Sequence, residues 1–182
     1  MEGNSPRDGT KSEIWDLYDE NRRCLGLTHR RGDSMKPGCY HLAAEILTVD
    51  DNGRLLITRR HPDKRYGGLW ECSGGAALAG EDSLTCAVRE LREETGLSAP
   101  ASALRLLGDT RSATCILDTY LYRPGTNPGP LTLQESEVTD ARWVLAGELV
   151  SLIRKGEVVP TLADRLQLFA PLLHRATEGR FP

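Results

Sequence analysis

The sequence predicts an α/β (α+β) domain in which a mixed β-sheet carries helices on its faces. Three observations lead there. Short apolar runs of strand length precede and follow one segment of helical period, residues 83–95. Two further helix-length segments, GELVSLIRKG and LADRLQLFAPLLHRA, close the chain. Strands that bracket a helix pack into layers, because a helix stripe and a sheet face each need an apolar partner.

Taken in order, EIWDLY (13–18) and CLGLT (24–28) are short strands flanking the turn-like DENRR, and a basic, glycine-bearing loop, HRRGDSMKPGCY, follows. HLAAEILTVD (41–50) and RLLITRR (54–60) are strands joined by Asp51-Asn52-Gly53, and an Asn-Gly step between apolar runs predicts a hairpin. KRYGGLWECSGG (64–75) is glycine-rich and predicts a loop. In the helix, Leu84, Val88 and Leu91 recur at i, i+4, i+7 and mark the face turned to the core. Ser83 or Asp82 can cap its start, and Gly96 suits the left-handed residue after its end. LRLLGDTRSA and ILDTYLYRP (116–124) are again strands, PGTNPGP (124–130) a sharp turn and RWVL (142–145) the last strand. Pro171 is expected to bend or end the first part of the final helix, since proline cannot donate within it.

The 182 residues suffice for one ordinary domain, expected over 13–174, between a disordered lead-in (1–12) and a C-terminal tail (175–182). A net charge of −3 argues against a nucleic-acid partner, and two Phe, three Trp and five Tyr make a poor stacking platform for single strands. No run of 18 apolar residues exists to span a membrane, and the polar start, MEGNSPRDGTKSE, has no signal-peptide character; a cytoplasmic location is expected. The five cysteines are scattered and never form C-x-x-C, which points to reduced thiols acting as small buried hydrophobes.

The chemistry concentrates in GAALAGEDSLTCAVRELREETGL, residues 75–97. On a wheel at 100° per residue, Glu90, Glu93 and Glu94 cluster beside the apolar stripe. Carboxylates so placed repel by roughly 0.2–0.5 kcal/mol per pair, so arginines or a cation must offset them. The plain alternative is a solvated face on which Arg89 pairs with Glu93. A hard divalent cation prefers oxygen ligands, and magnesium binds through one or two carboxylates together with substrate phosphates.

The spacing favours the cation. Gly75, five residues, Glu81, seven residues, then Arg89-Glu90-Leu91-x-Glu93-Glu94-x-Gly96-Leu97 resembles the Nudix box, G-x5-E-x7-R-E-U-x-E-E-x-G-U, at every fixed position. The resemblance implies a Nudix-type α/β/α sandwich and hydrolysis of a diphosphate linkage in a nucleoside diphosphate–X substrate, using magnesium or manganese. By position it makes Glu90 and Glu94 the main metal ligands and Glu93 a further ligand or a base. It gives the Gly75 carbonyl a place as ligand, puts Glu81 in the outer shell or on a second metal, and has Arg89 orient a glutamate. Many such enzymes add an acid from a later loop, where Glu135 and Glu137 are the candidates, with Glu137 preferred as it directly precedes a strand; a solvated loop is the alternative.

EIWDLYDENRRCLG, GCYHLAAEILTVDDNGRLLITRR and LWECSGG resemble the branch of the family that includes isopentenyl diphosphate isomerase. That enzyme carries Cys-Gly-His at the start of the box, where this chain has Gly74-Gly75-Ala76, and Cys72 falls two residues early. An intact box without those side chains favours the hydrolase; the isomerase is the alternative, and a nucleotide-binding sensor without catalysis a second one. For substrate phosphates the candidates are Arg59, Arg60 and His41; His41 is equally a strand histidine bonded to the backbone, and strand alternation turns one of the two arginines away. The partner expected is a small-molecule diphosphate, and a homodimer is a further expectation from the resemblance.

Overall fold

A computed structural model of the chain describes residues 13–179. The expected lead-in, residues 1–12, and residues 180–182 of the expected tail lie outside the described residues; the tail's first two positions, 175 and 176, belong to the last helix instead.

Among the described residues, nine strands and three α-helices follow one another as β1 (Ile14–Tyr18), β2 (Cys24–Arg30), β3 (His41–Thr48), β4 (Leu55–Arg60), β5 (Trp70–Glu71), β6 (Ser73–Ala76), α1 (Ser83–Thr95), β7 (Leu104–Arg111), β8 (Cys115–Tyr122), β9 (Val138–Val144), α2 (Ala146–Arg154) and α3 (Pro160–Ala176). They form a four-stranded mixed sheet in the order β6-β3-β8-β7, a three-stranded sheet in the order β5-β4-β9, and the hairpin β1-β2. Among these strands β3 and β8 run parallel; their other pairings are antiparallel. The mixed sheet with helices on both faces is the architecture the sequence predicts.

Strand β3 shows why. It is buried almost throughout, so its alternate residues feed two cores. Leu42, Ala44 and Ile46 pack with Cys86, Ala87 and Leu91 of α1. Leu47 joins Leu55 and Ile57 of β4, Leu149 and Leu152 of α2, and Leu162, Leu166, Phe169 and Leu173 of α3. The helix therefore buries a face centred on Cys86, Ala87 and Leu91, with Leu84 and Val88 at its margin rather than its middle. Small residues at 86 and 87 bring α1 close to the sheet, a role that counting large apolar residues overlooks.

The expected hairpin at Asp51-Asn52-Gly53 closes only at its neck. The turn forms, with the Gly53 amide donating to the Asp50 carbonyl at 3.0 Å, and Val49 bridges Leu55. Beyond that β3 and β4 part into different sheets, because β6 and β8 already occupy both edges of β3. The glycine-rich 64–75 segment is likewise not all loop, since its second half forms β5 and most of β6. Pro171 does not end α3, which continues to Ala176; the carbonyl its missing N–H leaves unpaired belongs to exposed Gln167.

The β1–β2 hairpin is pinned by its turn. Arg22, held at φ 61°, donates two hydrogen bonds to Asp118 of β8, at 2.7 and 2.6 Å. Asp118 is buried and also accepts from the Ser83 hydroxyl. Of the five free cysteines, Cys72 and Cys86 are buried as expected, whereas Cys24 is exposed. Among the described residues, no helix is long and apolar enough to cross a membrane.

Candidate active site

Local signals fix the glutamate helix. Asp82 accepts from the Thr85 amide at 2.7 Å and starts it; Gly96, at φ 76°, ends it and returns its amide to the Arg92 carbonyl at 2.9 Å. The helix lies against β6, an edge strand whose glycines admit close approach. A Cβ on Gly75 would sit 2.3 Å from Glu90 Oε1, and one on Gly74 would sit 2.3 Å from the Ala44 carbonyl. Gly74 therefore needs glycine for space, whereas a side chain at position 75 would displace the Glu90 carboxylate.

Arg89 is the hub. Its guanidinium donates to Glu81 through Nε at 2.8 Å and NH2 at 2.9 Å, to Glu90 at 2.7 Å, to Glu93 at 3.1 Å and to the Ala76 carbonyl at 3.1 Å. The bonds to Glu81 raise the arginine's pKa further, against the lowering effect of burial. Glu81 also accepts from the Leu78 amide at 2.9 Å, closing the loop before the helix. The structure thus brings together Gly75, Glu81, Arg89, Glu90 and Glu93.

Glu94 stands apart from that cluster and is buried. It accepts from the Gly74 amide at 3.2 Å and from the Ser73 hydroxyl. Burial first, then the charges of Glu71 and Glu90, push its pKa well up. No ion pair of the described residues includes Glu94. Glu90 is raised as well, by burial against the opposing pull of Arg89. Among the described residues, no three His, Cys, Asp or Glu side chains converge tightly enough to hold a metal ion unaided, because Arg89 draws Glu90 and Glu93 toward itself.

The expected carbonyl at Gly75 has a different neighbour. It accepts from the Cys86 thiol at 3.4 Å, and Gly75 faces Ala44 in the strand register. Gly74 is turned the other way: its amide leaves the strand toward Glu94, and in a β-strand a residue's carbonyl leaves on the same side as its amide. The Gly74 carbonyl, rather than that of Gly75, therefore leaves the strand on the side of Glu94.

Glu71, which the sequence alone did not single out, joins this centre. It pairs with Arg60 and has Glu45, Glu94 and Arg165 within electrostatic reach. Burial carries its pKa from the ordinary 4.5 to about 7 against the pull of Arg60. Its neighbour Glu45 is held by Arg165 of α3 through Nε at 2.7 Å and NH2 at 2.5 Å. A charged residue inside the apolar run HLAAEILT was the signal that a buried partner exists.

A pH dependence follows. With its pKa raised on folding, Glu71 binds its proton more tightly in the folded than in the unfolded state between pH 4.5 and about 7. Stability is then greatest below that window and falls as pH rises through it, by about 3 kcal/mol at most. Glu94 acts in the same direction. Urea midpoints in chelator are expected to drop from pH 5 to pH 8, less so in Glu71→Gln; a wild-type midpoint that rises over that range would contradict the burial argument.

The remaining candidates separate. Arg59 bonds the Gly68 carbonyl at 2.9 Å and lies over the Trp70 ring, whereas Arg60 reaches Glu71, so only the second arginine meets the acidic centre. Trp70 itself is core. The His41 ring stacks on Trp15 at 4.2 Å, and its Nδ1 lies 3.1 Å from the Leu42 carbonyl, where it must donate. Burial lowers its pKa, against the upward pull of the bond to the Leu42 carbonyl. Glu137 pairs with Lys64, while Glu135 lines a separate hollow of 550 Å³ with His61 and Thr132. No hydrogen bond or ion pair of the described residues links either to the α1 glutamates.

Known proteins resemble this chain in sequence and in fold. The model of the NUDIX domain matches residues 40–165. A Nudix hydrolase of Listeria monocytogenes is 37% identical over 150 residues, covering 81% of this chain and 89% of the relative. An isopentenyl-diphosphate Delta-isomerase of Streptomyces avermitilis is 30% identical over 156 residues, covering 80% of this chain and 78% of the relative. The crystal structure of a Deinococcus radiodurans protein superposes with a TM-score of 0.71 at 22% identity, over 86% of this chain and 99% of that one, which shows a shared fold.

Proposed function

The chain belongs to the Nudix hydrolase family, and from that premise we propose that it hydrolyses the diphosphate linkage of a nucleoside diphosphate–X substrate, with magnesium or manganese. One observation carries the reading. Glu94 is a buried acid whose charged neighbours are Glu71 and Glu90 and which no ion pair of the described residues includes. Burying an uncompensated carboxylate is costly, and a cation at that edge compensates it. The donors available, carboxylate and carbonyl oxygens, are those a hard divalent ion prefers, and magnesium completes its shell with water and phosphate rather than with a protein cage.

Glu90 and Glu94 would hold the ion, with the Gly74 carbonyl beside them. When bound, such an ion neutralises phosphate charge and lowers the pKa of a coordinated water. The protein's own groups do the rest. Arg89 fixes Glu81, Glu90 and Glu93 in one orientation. Glu93, more exposed than Glu90, is placed to accept a proton from the attacking water. Arg60 offers a guanidinium to phosphate oxygens at the rim. In this proposal Glu93, rather than Glu137 with its Lys64 partner, acts as base.

The isomerase alternative finds little support in these residues. Gly74, Gly75 and Ala76 carry no acid–base group. The Cys72 thiol is packed into the core between β4 and the C-terminal helices, and burial pushes its pKa well up. Phosphorus NMR with nucleoside triphosphates, ADP-ribose, nucleotide sugars and dinucleoside polyphosphates tests the reading. Cleavage of a P–O–P bond with magnesium and none with chelator is expected. Silence across that panel, with movement of the isopentenyl diphosphate double bond in proton NMR, would overturn the hydrolase in favour of the isomerase.

A further inference from the structure

We infer that the cavity between β8 and the first turns of α3 is the subsite for the group X, and that it takes a compact, hydroxyl-bearing, non-aromatic group such as a sugar. This deepens the proposed function and rests on the glutamate edge being the phosphate site.

The sheet face turned toward α3 leads from one place to the other. Across the strands it presents Gly74 and Ala76 of β6, Ala43 and Glu45 of β3, Leu117 of β8 and Thr110 of β7. Gly74, Ala76 and Ala43 keep the floor low. Neighbouring strands lie about 4.8 Å apart, so β6 and β8 are separated by about 10 Å, which a diphosphate and its ester oxygens can bridge. The Glu45–Arg165 pair stands on one side of this path, and His41 under Trp15 on the other.

The cavity at its far end has a volume of 390 Å³, within the range of small-molecule sites. Its lining mixes the Arg165 guanidinium, the Asp164 carboxylate and the Thr110 and Thr161 hydroxyls with the apolar Leu117 and Cys115. Donors and acceptors around an aliphatic patch suit a ring with hydroxyls at its edge and C–H groups on its faces. None of the lining residues is aromatic, so a purine or pyrimidine would have nothing to stack on there. Arg165 is pre-set for this task. Glu45, itself buried, grips it by two nitrogens and fixes the guanidinium plane.

The test uses ribose 5-phosphate with magnesium and the full chain, followed by methyl and amide NMR. Shifts at Thr110, Leu117 and Thr161 are expected. Affinity is expected to fall about tenfold or more in Arg165→Lys, where the fixed fork is lost, and in Leu117→Trp, which fills the cavity. Absence of binding by the wild type, shifts confined to the α1 glutamate loop, or equal affinity in folded Arg165→Lys and Leu117→Trp would overturn the subsite. Tighter binding of isopentyl phosphate than of ribose 5-phosphate would overturn the hydroxylated class. Binding is read without turnover. Cavity shifts without cleavage of any diphosphate leave the subsite standing and sink the hydrolase, and cleavage without cavity shifts does the reverse.

Discussion

Glu94→Gln is expected to lose about a thousandfold in magnesium-dependent kcat/KM and, without metal, to fold more stably than the wild type. A loss of that size corresponds to about 4 kcal/mol of transition-state stabilisation, the scale on which a metal site acts. The stability gain has a separate cause. Glu94 is buried, faces Glu71 and Glu90, and holds its proton well above the ordinary carboxylate range. At neutral pH an amide of the same shape avoids that cost, for a gain of about 1 kcal/mol. The sign can be checked by pH. A carboxylate whose folded pKa is raised opposes folding only above its unfolded pKa, so the gain is expected at pH 7 and absent at pH 4. Magnesium is expected to raise the Tm of the wild type but not of the variant. A variant less stable than wild type in chelator at pH 7 would show that Glu94 supports the fold rather than awaits a cation.

Arg89→Met is expected to destabilise the protein by about 3 kcal/mol, because it strands partly buried Glu81 and Glu90 while keeping the aliphatic stem. It also frees Glu93 and removes a donor from the Ala76 carbonyl, so the loop before α1 loosens from the helix. Part of the loss is expected to return on adding magnesium, since an ion among the freed carboxylates replaces the lost positive charge. Urea denaturation with and without magnesium measures both effects. Unchanged midpoints in Arg89→Met would mean that the arginine is one member of a solvated ion-pair face, the alternative that the sequence of α1 also allows.

What was legible in the sequence was local. The bounds of α1 follow from its neighbours in the chain, Asp82 at one end and Gly96 at the other, and the structure keeps them. The box residues gather around Arg89 because they share one helix and the loop before it. What failed was pairing across the chain. The Asn52-Gly53 turn is present, yet whether β3 pairs with β4 depends on β6 and β8, which come later and take both its edges. The partnership of Glu45 with Arg165 spans 120 positions, and that of Arg22 with Asp118 spans 96, distances over which no spacing rule operates. Glu71 escaped notice for a related reason: its character comes first from burial and then from Arg60 and Glu45 around it, and nothing in the sequence WECSGG announces them.

The central claim is that Glu90 and Glu94 hold a divalent ion at the edge of β6. Titration with manganese, followed by electron paramagnetic resonance of the free ion, tests it without any assumption about substrate. Wild type is expected to take up manganese, and Glu90→Gln and Glu94→Gln to bind it about a hundredfold more weakly, at least the loss that follows removal of a group that only supports a ligand. Equal uptake by all three proteins would place the ion elsewhere and contradict the account.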